Sequence, residues 1–153
     1  MTPELEHYAQ ALQRLHTDAA AVLEHLPAAA LNWRPLEGDE STNSLAITLA
    51  HMAGSERFWV GEVAGGQPAH RDREAEFHVQ AASAEELLAL LDQALAVTQA
   101  ALSRLAPAAL DETVTTRDRT VTRRWAVLHA IEHLAIHLGH MQLTRQLWLA
   151  ESN

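Results

Sequence analysis

The sequence predicts an all-α protein, a four-helix bundle in one domain spanning residues 1–153, and three observations carry that expectation. Ala and Leu dominate, with little β-branched content outside one short segment, a composition that favours helix. Four stretches repeat apolar residues at intervals of three and four, and each is bounded by capping or helix-breaking residues. At 153 residues the chain suffices for one domain burying roughly 70% of the surface its unfolded form exposes.

The first helix opens with Thr2 as N-cap, Pro3 at the first helical position and Glu4 in the first turn, and is expected to run to about Leu26. Its stripe includes Leu5, Tyr8, Leu12, Leu15, Ala19, Val22 and Leu23. A connection from Pro27 to Asn43, rich in Pro, Gly, Asp, Ser and Asn, follows. The second helix is expected from Ser44 to near Gly65 and Gly66, with His51 inside it on a face with Ile47, Gly54 and Phe58. Gln67 to Ala82, with Pro68 and several charges, reads as a long loop. Ser83 and Glu86 then form the S-x-x-E capping box of the third helix, whose core face carries Leu87, Leu88, Leu91, Leu95, Leu102 and Leu105. The segment DETVTTRDRTVT, with Val114 and Val121 among threonines, allows a short β-hairpin. The last helix starts near Thr122 or Arg123 and continues to about Ala150, a length of roughly 40 Å.

Charge and composition narrow the function. Eleven Lys and Arg against twenty Asp and Glu leave a net charge of −9, which repels nucleic acid phosphates. Arg117, Arg119, Arg123 and Arg124 form one basic cluster, which reads as the solvated start of a helix rather than an anion site. The absence of cysteine removes disulfides and thiolate ligands, so any thiol chemistry needs a thiol from outside. No stretch approaches the roughly 18 apolar residues of a membrane span, and no basic segment followed by an apolar core opens the chain. The expectation is a soluble, cytoplasmic protein.

Chemistry concentrates in the last helix. RRWAVLHAIEHLAIHLGHMQLTRQLW spaces His129, His133, His137 and His140 by four, four and three, within a stripe of about 80° that faces away from Arg124, Glu132, Gln142 and Gln146. Two imidazoles at i and i+4 can reach one metal ion, and His51 is the best third donor because it too should look into the bundle. The competing explanation is a hydrogen-bonded histidine network without metal. Burying several imidazoles without a common partner would cost about 1 to 3 kcal/mol each, whereas one ion satisfies several. Glu56 is either a carboxylate orienting a ligand, a general base, or an ordinary exposed helix residue. His7, His16, His25, His70 and His78 read as surface residues, and Trp33, Trp59, Trp125 and Trp148 as core or interface aromatics.

Two stretches carry a family resemblance: LNWRPLEGDESTNSLAITLAHMAGSERFW, with its W-x-P and Ser-capped second helix, and HAIEHLAIHLGHMQLTRQLW. Together they resemble the DinB/YfiT-like family (DinB superfamily) over nearly the whole chain. The resemblance implies an up-down-down-up bundle, frequently dimeric, with His51, His133 and His137 as ligands and zinc or nickel as metal. Gly139 matches the family glycine after the last ligand. His140 stands where the family commonly has Gln, which leaves it as a helper, an alternative ligand, or neither, and His129 is also extra to the three-ligand set. Some relatives are transferases or isomerases that use bacillithiol or mycothiol. The expected activity is therefore a metal-dependent thiol S-transferase acting on a small-molecule thiol and an electrophile, with Glu56, His129 or His140 as helpers. The alternatives are a metal-dependent hydrolase and a stress-associated metal-binding or interaction protein without turnover.

Overall fold

The computed structural model describes residues 1–36, Gly38 and 41–152; positions 37, 39 and 40 of the expected Pro27–Asn43 connection lie outside the described residues. Its long helices are α1 (Pro3–Leu23), α3 (Leu45–Glu56, continued by a π-helical segment Arg57–Ala64), α5 (Ala84–Arg104) and α6 (Arg123–Glu151). Short helices α2 (Ala28–Asn32) and α4 (Arg73–Glu76) interrupt the two connections read as loops. A 3₁₀ turn (Pro107–Asp111) leads into an antiparallel hairpin of β1 (Thr113–Thr115) and β2 (Thr120–Thr122), with Val114 opposite Val121.

Direction follows from which ends meet. Arg124, at the start of α6, bonds Glu4 at the start of α1, and Arg145 near its end reaches the Glu24 carbonyl, so α1 and α6 run parallel. Arg123 donates to the Ala64 carbonyl, which sets the second long helix antiparallel to α6. Gly61 lies against Val97 and Gly65 against Ala101, four residues on in both chains, so the second and third long helices run parallel. The bundle is therefore up-down-down-up. Each of α1 and α3 packs against both α5 and α6, placing α1 and α3 on opposite corners.

The core is the predicted apolar stripes brought together: Leu5, Leu12 and Leu23 of α1, Leu45, Leu49 and Met52 of α3, Leu87 and Leu102 of α5, and Leu134 and Met141 of α6 are all at most 1% exposed. Each such side chain contributes about 1.5 to 3 kcal/mol relative to exposure. Asn32 ties the two long connections together, its amide donating to the Ala81 carbonyl at 2.8 Å and accepting from the Ala81 N–H at 2.9 Å.

Local detail departs from expectation in several places. α1 ends at Leu23, because His25 takes φ 60° and Pro27 disfavours helix in the residue before it; Leu26 still packs on the core. Thr2 occupies the N-cap position without a side-chain cap bond. Ser44 does cap α3, its hydroxyl accepting from Ile47 N–H at 3.2 Å. The capping box expected of α5 does not form: Ser83 makes no side-chain cap bond, its hydroxyl serving the Glu85 carboxylate instead, and Glu86 accepts at 2.9 Å from the N–H of Ala82, one residue before the N-cap. Among the described residues no helix is long and apolar enough to cross a membrane.

Candidate metal centre

The Ser44 cap fixes the start of α3 and so sets the rotation at which His51, two turns later, faces α6. α6 presents His133 and His137 one turn apart. Nε2 of His51 lies 3.1 Å from Nε2 of His133, which lies 3.2 Å from Nε2 of His137. One ligand atom from each of the three histidines falls within 4.8 Å of the others, a grouping that could hold a metal ion.

Hydrogen bonding alone does not satisfy this arrangement. The Nε2 of His133 faces two other Nε2 atoms but has one proton or one lone pair to offer, so one contact goes unmet. Its Nδ1 is buried without a partner. Burial, helped by the neighbouring imidazoles, holds His133 down to about 3 and His137 down to about 4. Both are therefore neutral donors at physiological pH, as a metal requires.

A carboxylate and a guanidinium set the third imidazole. Glu76, at the end of the four-residue α4, accepts from His51 Nδ1 at 2.9 Å, leaving Nε2 unprotonated and aimed at α6. Arg71 holds Glu76 in place through Nε at 2.6 Å and Nη2 at 2.8 Å. Those bonds hold the Glu76 carboxyl below its usual range against the opposing effect of burial, which is the largest single influence on it. Gly54, one turn beyond His51, makes room: a Cβ there would collide with the Glu76 carboxylate. Neither Glu76 nor Arg71 stood out in the sequence, because both sit in the stretch read as loop. The one available signal was Asp72, whose side chain caps the Ala75 N–H and starts a helical turn at a fixed distance from Arg71.

The helper residues are placed apart. Glu56 is fully buried, which excludes an exposed helix carboxylate, and it accepts from Thr98 Oγ1 at 2.5 Å while its other oxygen lies 2.5 Å from His16 Nε2. It bonds none of the three histidines. His16, expected on the surface, is buried at 5% exposure because it is Glu56's partner across the bundle. His129 stacks on Trp125 with ring centroids 4.6 Å apart and meets Trp59 edge-on at 5.0 Å. His140 is exposed, its ring 5.4 Å from that of His137. His7, His25, His70 and His78 are exposed as expected. A Cβ on Gly139 would meet nothing within 4 Å, so no contact inside the chain demands glycine there.

A cavity of about 550 Å³ opens on the His137 side of the triad, between α6 and the segment leading into α3. His140, Leu143 and Leu147 form one wall, and Trp33, Leu36 and Asn43 contribute to the other.

Solved structures share this architecture. A conserved protein from Enterococcus faecalis superposes with a TM-score of 0.75 at 19% identity, covering 98% of this chain and 99% of that one. YfiT from Bacillus subtilis, a probable metal-dependent hydrolase with an unusual four-helix bundle topology, gives 0.72 at 18% identity, over 95% and 89%. A mycothiol-dependent maleylpyruvate isomerase gives 0.67 at 17% identity over 90% of this chain, which spans 60% of the isomerase's length. No curated protein sequence matches. The sequence pattern of the DinB superfamily matches residues 11–141, a span that runs from the first turns of α1 through α3 and His51 to the last histidines of α6. By that match, and with the fold agreeing, the chain belongs to the DinB superfamily.

Proposed function

We propose that the protein is a divalent-metal-dependent transferase that activates a low-molecular-weight thiol for attack on an electrophile, with His51, His133 and His137 as the metal ligands. The observation that carries this reading is the convergence of three imidazole Nε2 atoms that cannot satisfy one another, beside an open cavity. A zinc or nickel ion bound there would supply Lewis acidity, lowering the pKa of a thiol or water beside it.

The chain's own groups favour a thiol over water. Glu76 is committed to His51 and Arg71, and Glu56 to His16 and Thr98, so neither carboxylate is free to draw a proton from water in the manner of an H-E-x-x-H helix. A thiol, with an ordinary pKa near 8.5, asks far less of a base than water, whose pKa lies far higher. His140, exposed and lining the same cavity as His137, is the group placed to accept that proton. The absence of cysteine leaves no protein thiolate to compete. The mycothiol dependence of the isomerase supports a thiol co-substrate of the mycothiol or bacillithiol kind; the hydrolase description of YfiT supports the second reading, water activation at the same triad.

The test begins with metal content, measured by elemental mass spectrometry on protein purified without a nickel column. About one ion per chain, lost in His133→Ala, is expected. Loss of free thiol on adding an electrophile should then track metal loading. Ester turnover with the thiol untouched would establish the hydrolase instead, and a loaded protein with no turnover would leave a metal-binding protein.

A further inference from the structure

The cavity beside the triad has a chemical character of its own. Its volume, about 550 Å³, lies within the roughly 300–1,000 Å³ of small-molecule sites. Leu36 and Leu143 are each 55% exposed and Leu147 is 41% exposed, so part-exposed apolar side chains stand around the opening. Trp33, held edge-on by Trp148 at 5.7 Å, gives that wall a fixed aromatic surface. Uncharged polar groups line it too, from Ser41, Thr42, Asn43, Thr48 and Thr144: Asn43 makes no side-chain hydrogen bond among the described residues, and Thr48 already donates its hydroxyl to the Ser44 carbonyl at 2.9 Å.

Charge decides the class of ligand. Among the described residues lining the cavity there is no Lys or Arg, and the one ionised side chain is the carboxylate of Glu151. Arg71 lies on the Nδ1 side of His51, engaged by Glu76 through two nitrogens. In the metal-free protein an anionic ligand held on this wall would lose hydration with no cationic side chain in return.

We infer that this cavity binds an uncharged, largely apolar compound, its ring or chain laid on Trp33, Leu36, Leu143 and Leu147 and its polar end directed toward Asn43 and His140. That such a compound is the electrophile rests on the reading of the triad given above; that the cavity selects against negative charge does not.

A pair of fluorescent probes with one arylamine skeleton tests this: neutral N-phenyl-1-naphthylamine and its sulfonated counterpart 1-anilinonaphthalene-8-sulfonate. On metal-free protein the neutral probe should bind at least about ten-fold more tightly, because only the sulfonate must give up hydration without a cationic side chain in return. Leu143→Lys, at a position exposed enough to tolerate the change, should weaken the neutral probe about ten-fold and strengthen the sulfonate, while Leu143→Met should keep the parent pattern. Equal affinity for the two probes, or an unchanged neutral affinity in Leu143→Lys, overturns the inference. So does a failure of the neutral probe to bind, including the case where sedimentation shows a dimer that Leu143→Lys dissociates and the apolar wall is covered by a second copy. Repeating the titration on His133→Ala keeps the two readings apart: probe selectivity surviving in a chain that binds no metal leaves the cavity standing and the triad reading lost, and a loaded parent that ignores both probes does the reverse.

Discussion

Two polar clusters grow from the same helix, and they differ in what they leave unfinished. His51 and Glu56 are five residues apart on α3. Glu56 turns into the closed interior, where Thr98 bonds one carboxylate oxygen and His16 the other, and the carboxylate is fully excluded from solvent. His51 turns toward α6, where its Nδ1 is matched by Glu76 and its Nε2 lies 3.1 Å from the His133 Nε2, which also faces His137 and can serve only one of the two. The first cluster joins α1, α3 and α5 in the way a buried ion pair or hydrogen bond must, with the carboxylate's oxygens each occupied. The second is a grouping that could hold a metal ion. Each cluster leaves one buried imidazole nitrogen without a partner among the described residues, Nδ1 of His16 and Nδ1 of His133; three histidines converging beside an open cavity mark only the second.

That contrast is broken most directly by one substitution in each cluster. His133→Ala removes the central donor and should lower metal affinity by about a hundred-fold or more, with little change in the unfolding free energy of the metal-free protein. Glu56→Ala should do the opposite: a loss of about 3 kcal/mol in stability, because His16 is left buried and unpaired, with metal stoichiometry unchanged at temperatures where the protein is folded. Elemental analysis and urea titration of both variants read the two effects separately. If Glu56→Ala lost its metal while folded, the sealed cluster would belong to the site after all.

A smaller effect is expected one layer out. Glu76→Ala frees the His51 ring to rotate and to protonate Nε2, so metal affinity should fall by about ten- to a hundred-fold without being abolished. Gly54→Ala should produce part of the same loss, since its new Cβ displaces the Glu76 carboxylate. Competition titrations with a chelator measure both. Unchanged affinity in Glu76→Ala would reduce the Glu76–Arg71 pair to a loop fastener.

The sequence made α1, α3, α5, α6 and the hairpin legible because each carries a long apolar period or a β-branched run, and the stretch resembling a known family supplied their directions. Spacing marked the four histidines of α6, because i, i+4 is a local property, and offered His51 as the best third donor; the resemblance to a known family is what singled out His51, His133 and His137. The sequence could not show the π-helical segment Arg57–Ala64, whose widened turn shifts the apolar pattern too little over eight residues to be distinguished from an α-helix. Nor could it pair His16 with Glu56, 40 residues away, since an amphipathic helix tolerates a histidine on either face and only tertiary contact decides. Glu76 was hidden for a related reason: α4 has four residues, fewer than any periodicity can register, and its position is set by Asp72 and by the space at Gly54.

The gentlest comparison is by pH, on metal-free protein. His133 and His137, held to about 3 and about 4 in the folded chain, return toward about 6.5 on unfolding. Between pH 6.5 and 4 the unfolded state therefore binds more protons than the folded one, and stability must fall as pH is lowered through that window, being fully present above it. The lowered Glu76 carboxyl adds a loss in the same direction at more acidic pH. Urea midpoints at pH 7.5, 5.5 and 4.5 should decline in the parent and decline less steeply in the double variant His133→Ala, His137→Ala. Parallel declines would mean that the acid sensitivity arises elsewhere in the bundle. A flatter double variant would place the cost of protonation in the open cluster, where burial and the crowding of three imidazoles keep the nitrogens free for a cation other than a proton.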